Sequence, residues 1–158
     1  NRSEWNHSLE NNGESCLDLR LGFRQIKGLS KNDVDRIIEE RGNGYNDPQD
    51  LWHRIRLSPS IIKLLVKANS FHSLNKNRRL LLWDAQAIKK TNSLALFEGY
   101  SEKEYLPEKS VNLPNMTLGE ELILDYQSLR LSLSSHPVKL LRPFLKKSFI
   151  EKYCSRSV

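Results

Sequence analysis

Sulfur is nearly absent from this chain. Its 158 residues include two cysteines, Cys16 and Cys154, and one methionine, Met116. Two thiols this far apart in sequence make neither a disulfide framework nor a thiolate metal site, so a reduced, intracellular setting fits best. No run approaches the roughly 20 apolar residues of a membrane span, and no apolar signal-peptide core follows Asn1. A cytoplasmic protein with no membrane partner is therefore expected. With Asn1 in first place and its sole methionine internal, the chain is expected to be an excised piece of a longer one. There is no phosphate-binding glycine loop, no zinc-ligand cluster and no Ser-His-Asp set. His7, His53, His72 and His136 are scattered and read as surface or packing residues. Asp33, Asp35, Asp47 and Asp50 are better explained as helix caps and solvated first turns than as metal ligands.

Positive charge is what the chain does have, and it is unevenly placed. Lysine and arginine number 25 against 19 acidic residues, a net charge of +6 with 38% hydrophobic and 28% charged residues. Residues 1–20 carry net −2, residues 21–90 net +7, residues 91–135 net −4 and residues 136–158 net +5. The +7 block coincides with the most regular stretch. A folded basic module points to a polyanion partner, although many basic domains are merely soluble.

Local signals then divide the chain. Asn11-Asn12-Gly13 is a turn, and Leu17, Leu19 and Leu21 alternate along one side of a strand, predicting a short β-hairpin within residues 1–24. From Ser30 the period becomes helical. Ser30 and Asp33 form a capping box ahead of Val34, Ile37 and Ile38, and Gly42 and Gly44 end that helix. Asp47-Pro48 starts a second helix, with Asp50 reaching back and Leu51, Trp52 and Ile55 on its apolar face. Ser58-Pro59 starts a third, whose buried stripe is Ile61, Ile62, Leu64, Leu65 and Ala68, with Asn69 left-handed at its end. Asn75 to Lys89 reads as a fourth, with Leu81, Leu82, Ala85 and Ile88 inward. Residues 91–115 are acidic and linker-like. Thr117 and Glu120 form a capping box opening a helix through Leu122, Ile123 and Tyr126. His136-Pro137 leads into a short helix carrying Leu140, Leu141 and Leu145, and Phe149 to Val158 reads as the start of a strand.

Two turns bear chemistry. Leu21 to Lys27, an amphipathic element, is followed by Gly28-Leu29-Ser30 and a capped helix, which resembles a helix-hairpin-helix motif. Gly28 allows a tight turn and close approach, and Leu29 plugs the space between helices. The free N–H groups before the second helix make an anion site suited to a DNA phosphate, flanked by Lys27 and Lys31. Ser30 stands where that motif usually has a second glycine, and a plain structural turn is the rival reading. A second candidate turn lies 41 residues on, at Asn69-Ser70-Phe71, surrounded by Lys67, Asn75, Lys76, Arg78 and Arg79. There asparagine replaces the usual glycine, and the arginine pair reads equally well as a solvated helix face.

The whole chain resembles a known family. Leu19 to Leu29 is similar to the segment entering the tandem helix-hairpin-helix region of bacterial C-family DNA polymerases. Arg78-Arg79-Leu80-Leu81-Leu82-Trp83, Leu113-Pro114-Asn115-Met116 and Leu131-Ser132-Leu133-Ser134-Ser135-His136-Pro137 resemble, in the same order, stretches of that family's error-prone branch, and Asn1-Arg2-Ser3-Glu4-Trp5 also fits. The resemblance implies a mainly α fold. Residues 1–24 would end a preceding domain with a short β-hairpin, and 25–90 would form a tandem helix-hairpin-helix DNA-binding domain. An acidic linker (91–115), a helical extension (116–148) and the start of an OB-type domain (149–158) would follow. It implies nonspecific binding of primer-template duplex DNA through Lys27, Gly28, Leu29, Ser30, Lys31, Lys67, Asn69, Ser70, Asn75, Lys76, Arg78 and Arg79. The parent would be a bacterial, nucleoid-associated DNA-directed DNA polymerase of damage-induced mutagenesis and translesion synthesis. Its catalytic Mg2+ would be held upstream, so this stretch is expected to hold no catalytic residue, metal ligand or cofactor of its own.

Ser93-Leu94-Ala95-Leu96-Phe97 resembles the sliding-clamp pentapeptide of replicative relatives. Leu94, Leu96 and Phe97 would fill the clamp's apolar pocket, but Ser93 replaces the glutamine that fixes the peptide, so a degenerate remnant or simple packing is favoured. Two other functions compete. One is an adapter docking the clamp or mutagenesis proteins, with purely structural hairpins. The other is a helix-hairpin-helix glycosylase, which needs a Gly/Pro-rich loop with a catalytic lysine or aspartate that does not follow Gly28.

Overall fold

In the computed structural model, residues 2–11, 13, 17–74, 76–88 and 111–147 are described, without the side chains of residues 146 and 147. The clamp-like residues Leu94, Leu96 and Phe97, most of the expected linker and the expected strand after Phe149 lie outside them, as does Asn75. Six helices and one two-stranded sheet are present among the described residues, a mainly helical fold as expected.

Strands β1 (Ser8–Asn11) and β2 (Leu17–Arg20) pair antiparallel, with Leu9 opposite Leu19 and Glu10 opposite Asp18. The pleat puts Leu9, Leu17 and Leu19 on one face and Ser8, Glu10, Asp18 and Arg20 on the other. The leucine face is the open one, each side chain being 61–64% exposed. The alternation therefore marked a strand but not a core-facing side, and only Leu21, past the strand, is half-buried. On the polar face the Arg20 guanidinium grips the Glu10 carboxylate. That hydrogen bond holds Glu10 below its ordinary pKa and Arg20 above its own.

The chain ahead of β1 is sewn onto the chain after β2. Phe23 N donates to Glu4 O at 2.8 Å, Arg24 N to Trp5 O at 3.1 Å, and Gly22 N to His7 Nδ1 at 2.9 Å. A Cβ on Gly22 would lie 2.3–2.4 Å from the backbone of Trp5 and Asn6, so only glycine fits there. The amphipathic element expected before Gly28 forms only a 3-10 turn, Phe23–Gln25, whose first two N–H groups are the ones Glu4 and Trp5 accept.

The helices begin where local chemistry dictates. At α1 (Lys31–Glu39), Ser30 Oγ accepts from Asp33 N at 3.2 Å. The return arm of a capping box is missing, because Asp33 Oδ2 instead bonds the Ser30 hydroxyl. At α2 (Pro48–Ile55), Asp47 caps Asp50 N at 2.7 Å while Asp50 Oδ2 accepts from Asn46 N. Ser58 caps α3 (Pro59–Lys67), a 3-10 turn follows at His72–Leu74, and Asn77 caps α4 (Arg78–Ala87), which starts later than the expected Asn75. Thr117 and Glu120 close a complete capping box on α5 (Leu118–Leu129). These hydrogen bonds, chiefly from Thr117, hold the Glu120 carboxyl below its ordinary pKa. Helix α6 (Pro137–Lys147) follows, with Pro143 inside it.

One core joins α1 to α5. Val34, Ile37, Leu51, Ile55, Ile62, Leu65, Val66, Leu81, Ala85 and Ile88 meet in it, and so does Leu129 from the far end of α5. Tyr45 is buried there, its hydroxyl donating to Ile37 O at 2.7 Å. Burial raises the Tyr45 pKa. In α5, Leu122 is buried, while Ile123 and Tyr126 are exposed. The inward positions are Leu122, Asp125, Ser128 and Leu129.

Candidate functional site

Two backbone turns define the site. The first is Lys27-Gly28-Leu29-Ser30. Gly28 has φ 85°, a conformation that glycine alone adopts freely. Leu29 is buried, as a plug between helices must be, while Lys27, Ser30 and Lys31 are exposed. Helix α1 begins directly after the turn, and its N–H groups at Lys31 and Asn32 are among those a helix start leaves without intrahelical partners. The positive end of the helix dipole therefore lies beside two lysines.

The second turn ends α3. Asn69 takes φ 56°, the left-handed conformation that asparagine tolerates better than most residues. Ser70 N donates to Leu65 O at 3.1 Å and Asn69 N to Val66 O at 3.0 Å, the paired bonds of a Schellman end. Farther along, His72 N donates to Asn69 O and Leu74 N to Phe71 O. Lys67 and Lys76 are exposed, and Asn69 and Ser70 are half-buried.

The fold brings the two turns together. A Cβ on Gly28 would sit 3.5 Å from Leu64 Cδ1 of α3. Lys27 N donates to Ser128 O at 2.9 Å, and the Ser128 hydroxyl lies 3.0 Å from Lys67 O. One residue of α5 thus links both turns.

The arginine pair splits. Arg79 is half-exposed and bonds both Glu120 carboxylate oxygens at 2.7 Å. Arg78 turns inward and is only 6% exposed, with Nη1 2.8 Å from Oδ1 of Asp125, itself 2% exposed. Its other terminal nitrogen donates to Lys67 O. Asp125 Oδ2 accepts from Leu133 N at 3.0 Å. Arg78 is therefore set apart from the other expected phosphate contacts: its two terminal nitrogens are bonded inside the fold, its Nε is buried without a partner among the described residues, and a guanidinium this buried does not reach a solvent-side anion. Lys76 approaches Asp47 only at 4.0 Å.

Sequence reasoning missed Asp125 and Arg56. Asp125 had a readable signal, since an acidic residue three positions after Leu122 and four before Leu129 lies on the inward stripe and demands a buried cation. Arg56 takes the left-handed conformation at the end of α2 and lies 4.4 Å over the Trp52 ring. Its place four residues after Trp52 was a local signal for the stacking, while its left-handed conformation had none. Among the described residues, no group of three or more His, Cys, Asp or Glu side chains could hold a metal ion, and no helix is long and apolar enough to cross a membrane.

The sequence of this chain is similar to those of known proteins. The helix-hairpin-helix motif family matches residues 1–81. The chain is 45% identical over 143 residues to an error-prone DNA polymerase of Ruegeria pomeroyi, and 39% identical over 142 residues to one of Brucella abortus. It is 36% identical over 165 residues to error-prone DNA polymerase 1 of Rhizobium meliloti. Each match takes in 90% of this chain, which spans 13–15% of the length of these curated relatives.

Proposed function

The chain belongs to the helix-hairpin-helix motif family, and from that membership we propose that it grips the backbone of double-stranded DNA without reading sequence, as a section of an error-prone DNA polymerase. The observation that carries this reading is the joining of the two positive-φ turns through Ser128, with Lys27, Lys31 and Lys67 exposed around them. The first turn offers backbone N–H groups and a helix dipole to one phosphate. Lysines from both turns neutralise its neighbours. Contacts of this kind fix position without touching base edges, so they carry no sequence information. In the parent polymerase, such a grip would hold the primer-template duplex during DNA-directed synthesis, and the metal-dependent chemistry would belong to other parts of the longer chain.

Fluorescence anisotropy with unrelated duplexes of equal length tests the reading. Affinities should agree within about twofold between sequences and fall linearly in log–log form with salt, by about 0.9 for each phosphate neutralised. Strong preference for one sequence, or affinity indifferent to salt, would overturn it.

A further inference from the structure

We propose that α5 is a strut that sets the spacing of the two hairpin turns, with Asp125, Ser128 and Gln25 as positioning residues for the DNA grip. The DNA half of this rests on the reading above, while the strut itself rests on geometry alone.

Helix α5 lies beyond the residues that the family match covers, yet its last turn is fastened to both hairpins. On the side of the first turn, Gln25 Nε2 donates to Leu129 O at 2.6 Å and Lys27 N to Ser128 O at 2.9 Å. These are carbonyls that the end of a helix leaves without intrahelical partners, so the approach to the first hairpin supplies caps for α5. On the side of the second turn, the Ser128 hydroxyl and the Arg78 guanidinium both reach Lys67 O, at the end of α3. Asp125 holds Arg78 in that position and accepts Leu133 N with its other oxygen. Leu129 pins the same turn of the helix into the shared core. Lys67 O is the last carbonyl of α3, two residues before the left-handed Asn69, so its two donors bear on how the second turn is held.

Two phosphate-binding turns act as one grip only when their separation matches the duplex. A rigid link then makes the second contact intramolecular, and a loose one forfeits part of that gain. Here the link is the Gln25 and Ser128 side chains, the Lys27 N–Ser128 O bond, the buried ion pair and Leu129 in the core.

The test compares Gln25→Ala/Ser128→Ala with Ile37→Val, which thins the shared core from α1 and removes none of the hydrogen bonds that fasten α5. Asp125→Asn is a further variant, read only where circular dichroism shows it folded. Spin labels at Asn32→Cys and Ser73→Cys, in a Cys16→Ser/Cys154→Ser background, report the distance between hairpins in the full chain. The distribution should be narrow in the parent and with Ile37→Val, and broad with Gln25→Ala/Ser128→Ala. In unlabelled chains, that double variant should lose about five- to tenfold in duplex affinity, with a shallower salt slope. Ile37→Val should keep the slope. An unchanged distance distribution in the double variant overturns the strut. A broadened distribution with unchanged affinity and slope overturns its role in DNA binding. A parent chain that ignores duplex DNA defeats the reading of the preceding subsection, and the distance measurement then decides the strut alone.

Discussion

The two hairpin turns look equivalent in sequence spacing and differ in what they have left to offer a ligand. The first turns on glycine and runs straight into α1, whose first two residues, Lys31 and Asn32, are exposed, as is Lys27. The second turns on asparagine and is followed by a 3-10 turn before α4 begins. Its N–H groups at Asn69, Ser70, His72 and Leu74 all bond carbonyls of the same segment. Its nearest arginine, Arg78, is buried against Asp125. The lesson is that a hairpin can keep its shape while its donors are spent on structure. The first turn runs directly into a helix start flanked by two lysines, whereas the second has four of its N–H groups bonded to carbonyls and an arginine turned inward.

The sharpest way to break this contrast is at the buried pair. Asp125→Ala leaves Arg78 charged and unpaired in the core, and should cost about 3–5 kcal/mol by urea denaturation. Replacing both partners, as Arg78→Met/Asp125→Leu, should recover most of that loss. The turns themselves come next. Gly28→Ala places a Cβ at φ 85° and should cost about 1–2 kcal/mol, whereas Asn69→Gly should stay within about 0.5 kcal/mol of the parent. Equal costs at both positions would erase the distinction drawn between the turns.

A smaller effect probes Arg79, which Glu120 shares. Glu120→Gln should free that guanidinium and raise duplex affinity about two- to threefold at low salt. The same variant has a pH signature. Glu120 is held below its ordinary carboxyl value of 4.5 in the folded chain. Its contribution to stability is therefore complete above about pH 4.5 and fades as pH falls through the lower folded value. Glu120→Gln should accordingly narrow the difference in urea midpoint between pH 7 and pH 3.

What was legible in the sequence was local. Ser30, Asp47-Pro48, Ser58-Pro59 and Thr117 with Glu120 announce their helices because a cap needs only its own next three residues. Asn69 announced its turn for the same reason. What stayed hidden depends on distant partners. The amphipathic element before Gly28 is only a 3-10 turn, and its Phe23 and Arg24 N–H groups bond the distant carbonyls of Glu4 and Trp5. Arg78 turns inward for a carboxylate 47 residues away. The β2 leucines alternate correctly yet face outward, since period two marks a strand and says nothing of which side is covered. The exposed lysines of the site were readable as types and positions, while the strut joining their turns was not.

The central claim is that one basic surface, assembled from both turns, holds duplex phosphates. Its most direct test is a salt titration of duplex binding by the parent chain and by Lys27→Ala/Lys31→Ala/Lys67→Ala, each shown to be folded. The triple variant should bind at least tenfold more weakly at low salt, with the log–log salt slope shallower by about three. A folded triple variant that keeps both the affinity and the slope of the parent would contradict the account.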